Sequence, residues 1–156
     1  MNILGISAGF HDAAAAVINK QGDILFAGHS ERYSKVKNDA SIDTDLALRL
    51  YDYDPEIIAY YERPWLKQLR RLYSGEGLQW HQLTVRGMLK YQAHLDTMDM
   101  SVSTHSHHLS HAAAGFQTSG FHSATVVVID AIGEFDTISI WAADYDMGRA
   151  RYKKLW

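Results

Sequence analysis

Apolar residues recur with two different periods along this chain, and the changes of period mark out its elements. Residues 2–7 form a short apolar run that ends on Ala8 and Gly9, the pattern of a buried strand. Phe10, His11 and Asp12 make a bend after it. Residues 13–18 are four alanines followed by Val17 and Ile18, and helix propensity alone favours a helix. The turn at 19–23 and the apolar run 24–29 beyond it instead pair this segment into a hairpin, so it is read as a strand. Its small side chains would leave room for a ligand or a helix. A charged loop covers 30–39. A helix follows over 43–51, with Asp or Thr as its cap and Leu46, Leu48 and Leu50 as its apolar surface. Residues 57–61 are β-prone. Helical spacing returns over 63–73, where Trp65, Leu66, Leu69 and Leu72 lie opposite Lys67, Arg70 and Arg71. A further helix is predicted over 78–94, then the short run 101–104. A His-rich helix begins near Ser106. The strongest strand lies at 124–130: it is β-branched, uninterrupted and ends on Asp130. A Gly-containing turn at 131–136 leads to a second strand at 137–143, a turn at 144–148, and the start of a third strand.

The 156 residues allow one ordinary domain or two small lobes, and 47% apolar content is enough for a substantial core. The net charge of -3 gives no electrostatic reason to expect nucleic acid, so the basic side of 63–73 is read as the solvated face of an amphipathic helix. No apolar run approaches the roughly 20 residues of a membrane span, and no signal peptide precedes the first strand. Cysteine is absent, which removes disulfides, thiolate metal sites and cysteine nucleophiles and fits a cytoplasmic protein.

Candidate chemistry concentrates in Ser106-His107-His108-Leu109-Ser110-His111-Ala112-Ala113-Ala114. His107 and His111 are four apart, one helical turn on the same face, and their imidazoles could reach one metal ion. The Glu that completes the metalloprotease helix signature is missing. Spacing alone therefore leaves two readings, a ligand pair or a polar, solvated helix start. A third ligand has to come from elsewhere.

The two ends of the chain repeat a pattern. Strand, Gly-containing bend with an acid, strand, turn and return strand occur over 2–29 and again from Thr125 onward. This predicts two related α/β lobes, the second stopping after its opening strands. Ligands of α/β sheets favour the crevices at strand ends, where each bend carries a polar cluster.

Four ordered motifs span essentially the whole chain. They are the run from Gly5 to Ala16 with His11 and Asp12, Glu31-Arg32-Tyr33 with Lys37, His107 to Ala113, and Val128-Ile129-Asp130 with Gly133-Glu134. Together they resemble the O-carbamoyltransferases of nodulation-factor and antibiotic tailoring. Those enzymes are relatives of the universal tRNA threonylcarbamoyl transferase, in the superfamily of sugar kinases, heat-shock chaperones and actin. The resemblance implies an α/β fold: a ribonuclease-H-like lobe over 1–123 that includes the His helix, and the incomplete start of a second such lobe over 124–156. It implies the N-terminal portion of an enzyme that moves a carbamoyl group from carbamoyl-adenylate, made from carbamoyl phosphate and ATP, to the hydroxyl of a small-molecule acceptor.

Carried over residue by residue, His107 and His111 bind a divalent metal together with Asp130. The family metal is usually taken as iron; imidazole and carboxylate ligands suit Fe(II) or Zn(II). A further aspartate of the family site has no counterpart here. His11 matches the residue proposed to take the proton of the acceptor hydroxyl, and Lys37 a basic residue facing the carbamoyl or phosphate group. Gly133 and Glu134 lie in the turn that handles phosphate. His108 supports the ligands or is plainly structural. Phe10 stands where many relatives carry a polar residue or another His. The missing lobe and adenylate-forming domain imply that the chain is inactive alone and works as a homo-oligomer or with a partner chain. The competing reading is a non-catalytic, truncated or split lobe that binds a partner or a nucleotide.

Overall fold

In the computed structural model, which describes residues 1–92 and 99–156, strand β1 (Asn2–Ser7) is the middle of a five-stranded sheet. On one side β2 (Ala14–Asn19) runs antiparallel to it, and β3 (Ile24–His29) antiparallel to β2. On the other side β4 (Ile57–Tyr60) and then β5 (Ser101–Thr104) run parallel to it. The order β3-β2-β1-β4-β5, with only β2 reversed, makes a mixed α/β sheet. The α/β, ribonuclease-H-like class expected from the sequence is the class observed. Because β1, β3, β4 and β5 point the same way, their C-terminal ends lie along one edge.

The alanine-rich segment is a strand because both of its edges are paired and Ala15 and Val17 are buried; tertiary pairing overrides helix propensity. Its turn closes on Asn19, whose Oδ1 accepts from the N–H of Gln21 and of Asp23 at 2.9 Å, with Gly22 at φ 93°. The charged loop contains one helical turn, α1 (Glu31–Ser34). Helix α2 (Thr44–Tyr51) is capped by Asp43, which accepts from Asp45 N–H at 2.9 Å; it buries Leu46, Ala47 and Leu50 and leaves Leu48 exposed. Gly28 on β3 permits that packing, since a Cβ there would stand 2.7 Å from Leu46 Cδ1.

Helix α3 (Pro64–Tyr73) opens on a proline, whose fixed φ suits the first helical position. The helix expected over 78–94 is divided. A 3₁₀ turn (Trp80–Gln82) precedes α4 (Val85–Gln92), because Thr84 Oγ1 accepts the Gly87 N–H at 3.1 Å and starts a new helix. Residues 93 and 94 of that prediction lie outside the described residues. The core joins Leu4, Ile6, Val17, Ile58 and Tyr60 of the sheet to Leu46, Leu50, Met88 and Leu89 of the helices.

Residues Met1–Thr104 form one compact unit and His105–Trp156 a second. Helix α5 (His107–Thr118) covers one face of an antiparallel meander, β6 (Ser123–Gly133), β7 (Asp136–Asp146) and β8 (Arg149–Lys154). Ala112, Val128 and Trp141 are its buried centre, with Leu109, Val126 and Tyr152 against them. Met147 and Gly148, at φ 49° and 75°, form the two-residue turn before β8. The meander repeats the connectivity of β1-β2-β3, the relation that the sequence repeat predicts. Among the described residues no helix is long and apolar enough to cross a membrane.

Candidate functional site

The second unit brings three ligand-type atoms to one point. His107 and His111 lie one turn apart at the start of α5, and their Nε2 atoms stand 3.1 Å apart. Asp130 arrives from β6 where the β6–β7 ladder breaks between Ile129 and Gly133, the kind of irregularity that re-aims a side chain. Its Oδ2 is 2.8 Å from His107 Nε2 and 3.9 Å from His111 Nε2, and its Oδ1 accepts the Ala131 N–H at 2.7 Å. These three are the only such group of His, Asp and Glu found among the described residues.

The donor set fits a metal ion. Two donors at ~2.1 Å from one tetrahedral ion stand roughly 3.4 Å apart, and the three separations bracket that value. A ring Nε2 has one in-plane direction, so a single proton shared here serves three acceptors poorly while a cation serves all of them. The protonation states agree. Partial burial first, then the charge of His107, hold the His111 imidazole below its ordinary value, against a smaller opposing effect of Asp130. Burial raises the Asp130 carboxyl, but the Ala131 N–H and the two histidines outweigh it and hold the group below the usual carboxylate range. Both residues are thus biased toward the deprotonated form that metals require.

Gly133 and Glu134 follow directly. Glu134 takes φ 55° in the tight β6–β7 turn. Gly133 is buried against the histidines: a Cβ there would collide with the His107 ring and stand 2.7 Å from His108 Cδ2. Its bare backbone is the seat of both rings. His108, read from the sequence as supporting the ligands or structural, completes the arrangement together with Ser139, which sequence reasoning passed over. His108 is 2% exposed, its Nδ1 lies 2.7 Å from Ser139 Oγ, and Ser139 also accepts the Trp141 Nε1–H at 2.8 Å. The signal for it, a buried serine alternating with apolar β7 positions, was present but not specific.

His11 and Lys37 belong to the first unit. His11 lies in the bend after β1, its Nδ1 2.8 Å from Asp12 Oδ2 and its ring 4.6 Å from Phe10. Lys67 of α3, read from the sequence as part of a solvated basic face, is instead largely buried: its Nζ lies 5.5 Å over the Phe10 ring and pairs with the buried Glu62 at 2.9 Å. Lys37 is exposed, and among the described residues it makes no hydrogen bond or ion pair.

The chain thus combines a mixed α/β fold with a His-His-Asp group whose ligand atoms could hold a metal ion. No family model matches the chain. It is similar to the uncharacterized protein sll1178 of Synechocystis sp., 32% identical over 171 aligned residues that take in 90% of this chain and 27% of that protein. It is also similar to nodulation protein NolNO of Sinorhizobium fredii, 28% identical over 149 residues, 86% of this chain and 22% of that protein. The chain spans about a quarter of the length of these curated relatives. Among solved structures, YeaZ from Pseudomonas aeruginosa aligns with TM-score 0.47 and 12% identity over 97% of this chain and 63% of that one.

Proposed function

We propose that this chain is the acceptor-side portion of a carbamoyltransferase. It works with further domains or a partner chain that make carbamoyl-adenylate from carbamoyl phosphate and ATP, and the carbamoyl group passes to a small-molecule hydroxyl. The observation that carries the reading is the convergence of His107, His111 and Asp130, three ligand atoms within 4.8 Å of one another. Similarity to a nodulation protein supports the same branch that the sequence motifs resemble. A divalent ion, Fe(II) or Zn(II), would supply positive charge to the phosphate oxygens of the leaving adenylate. His107, His111 and Asp130 hold it, and Gly133 keeps the two neighbouring rings in place. Glu134 lies in the adjoining turn, where the phosphate approaches the backbone. In the first unit His11 takes the proton of the acceptor hydroxyl, and Lys37 meets the carbamoyl or phosphate oxygens from its exposed loop. As a sequence repeat the two lobes are 1–123 and 124–156, with α5 at the end of the first packed on the strands of the second.

Metal analysis after dialysis tests the site. Wild-type protein should bind one divalent ion weakly, lacking the last ligand of the family site, and should carry more metal after dialysis than the His107→Ala/His111→Ala double variant. Equal metal content in the two would remove the site. The chain alone should give no carbamoyl transfer from carbamoyl phosphate and ATP, and turnover by the homogeneous 156-residue protein would refute the need for further parts.

A further inference from the structure

The bend between β1 and β2 is held at both ends and projects only three residues. Gly9 N–H donates to Ala40 O at 2.8 Å, and Ala13 N–H to Asp39 O at 2.7 Å; Ala8 and Ala13 are buried. Tyr60, itself buried, donates its hydroxyl to Ala8 O at 2.5 Å. Between these anchors stand Phe10, His11 and Asp12, and Asp12 has φ 52°, a left-handed conformation uncommon outside glycine. Aspartate tolerates this region better than most residues, and the conformation directs its carboxylate toward two histidines. Asp12 Oδ2 lies 2.8 Å from His11 Nδ1, and its Oδ1 faces His29 Nε2 at 3.9 Å. His11 and Asp12 remain roughly half exposed, so both side chains are open to solvent.

We propose that Asp12 is the positioning residue of His11. Its carboxylate accepts the Nδ1–H of the neutral ring, fixes that tautomer, and leaves the Nε2 lone pair pointing outward as a base. The logic is that of a carboxylate orienting a catalytic imidazole. The inference rests on the reading of His11 as the base for the acceptor hydroxyl. In that step the acceptor O–H bond breaks and its proton goes to Nε2. The oxygen electron pair forms the bond to the carbamoyl carbon, and the adenylate phosphate leaves with the pair of the cleaved C–O bond. The imidazolium that results is held by Asp12. His29 Nε2 lies 3.9 Å from the second carboxylate oxygen.

The test uses the full ¹⁵N-labelled chain and needs no turnover. Long-range ¹H–¹⁵N spectra at about pH 8.5, above the ordinary imidazole pKa of about 6.5, report which ring nitrogen of each histidine carries the proton. The His11 signals are identified by their loss in His11→Gln. In wild-type protein His11 should be the Nδ1–H tautomer. In Asp12→Gly, which tolerates the positive φ, it should revert to Nε2–H while the Gly9 and Ala13 amide signals stay in place. Modification of His11 by diethylpyrocarbonate, mapped by mass spectrometry, should slow several-fold in the same variant. A wild-type ring protonated on Nε2, or the same tautomer with and without Asp12, overturns the proposal. The metal analysis above is independent of this result. An Nδ1–H ring in a chain that retains no metal leaves Asp12 orienting the His11 ring but removes the carbamoyl step it was to serve, and a metal-retaining chain whose His11 is Nε2–H does the reverse.

Discussion

At the scale of single residues, the site depends on an atom that is missing. Gly133 carries no Cβ, and one placed there would collide with the His107 ring and crowd His108. His107 cannot yield freely because Asp130 holds its Nε2 at 2.8 Å, and His108 is tied to Ser139. Gly133→Ala should therefore cost roughly 1–3 kcal/mol, the usual penalty of overpacking, and should also lower metal retention. Urea denaturation and metal analysis on the same preparation check both. A variant as stable and as metal-loaded as wild type would show that the rings move aside. The histidine pair was legible in the sequence because an i, i+4 spacing is a local property of one helix. Asp130 was legible as the acid that ends the strongest strand. The role of Gly133 was not, since its glycine suggests close backbone approach to a phosphate as readily as to a ring. Only folding, which brings 107 and 108 against 133, decides what approaches it.

At the scale of elements, α5 is fastened to β7 through the pair His108–Ser139, with Trp141 sharing the same hydroxyl. Ser139→Ala would orphan two buried polar groups, at roughly 1–3 kcal/mol each, and should lower the urea midpoint of the second unit, read from the Trp141 indole signal. An unchanged midpoint would mean that both groups find other partners. The same unit should be acid-sensitive when a chelator keeps it metal-free. His111 and Asp130 both have folded-state pKa values below their ordinary ones, so the unfolded chain binds more protons in each window. Stability is then full at neutral pH. It falls as pH drops below about 6.5 through His111 and again below about 3.9 through Asp130. His111→Gln should abolish the first fall, and a wild-type midpoint flat from neutral to acid pH would contradict it. Element identity was largely readable from period and turn residues, including β2 against its own helix propensity. The break at Thr84 was not, because an apolar pattern runs through it and only the Gly87 N–H bond to Thr84 reveals a new helix start.

At the scale of the whole molecule, the second unit leaves one sheet face bare. Val126, Val128 and Trp141 turn toward α5, while Val127 and Ile129 of β6, at 55% and 77% exposure, and Ile138 of β7, at 42%, turn away from it. Their register makes the patch continuous, since Val127 pairs with Ile140 and Ile129 with Ile138. Both β6 and β8 are edge strands of that sheet, and unpaired edges beside exposed apolar side chains favour association. The chain should therefore form dimers or larger species whose mass rises with concentration in light scattering. Ending the chain near Ser123 would be a poor control, because it separates α5 from the strands it packs on. Val127→Lys/Ile129→Lys is better: it changes only the outward positions, leaves Val126, Val128 and the proposed ligands His107, His111 and Asp130 untouched, and places charges where natural edge strands carry them. This variant should be monomeric across the range while retaining its metal. If wild-type protein is itself monomeric at every concentration, the face is tolerated by solvent. If both proteins associate alike, the contact lies elsewhere, and the exposed Trp65, Leu69 and Leu72 of α3 become the surface to substitute.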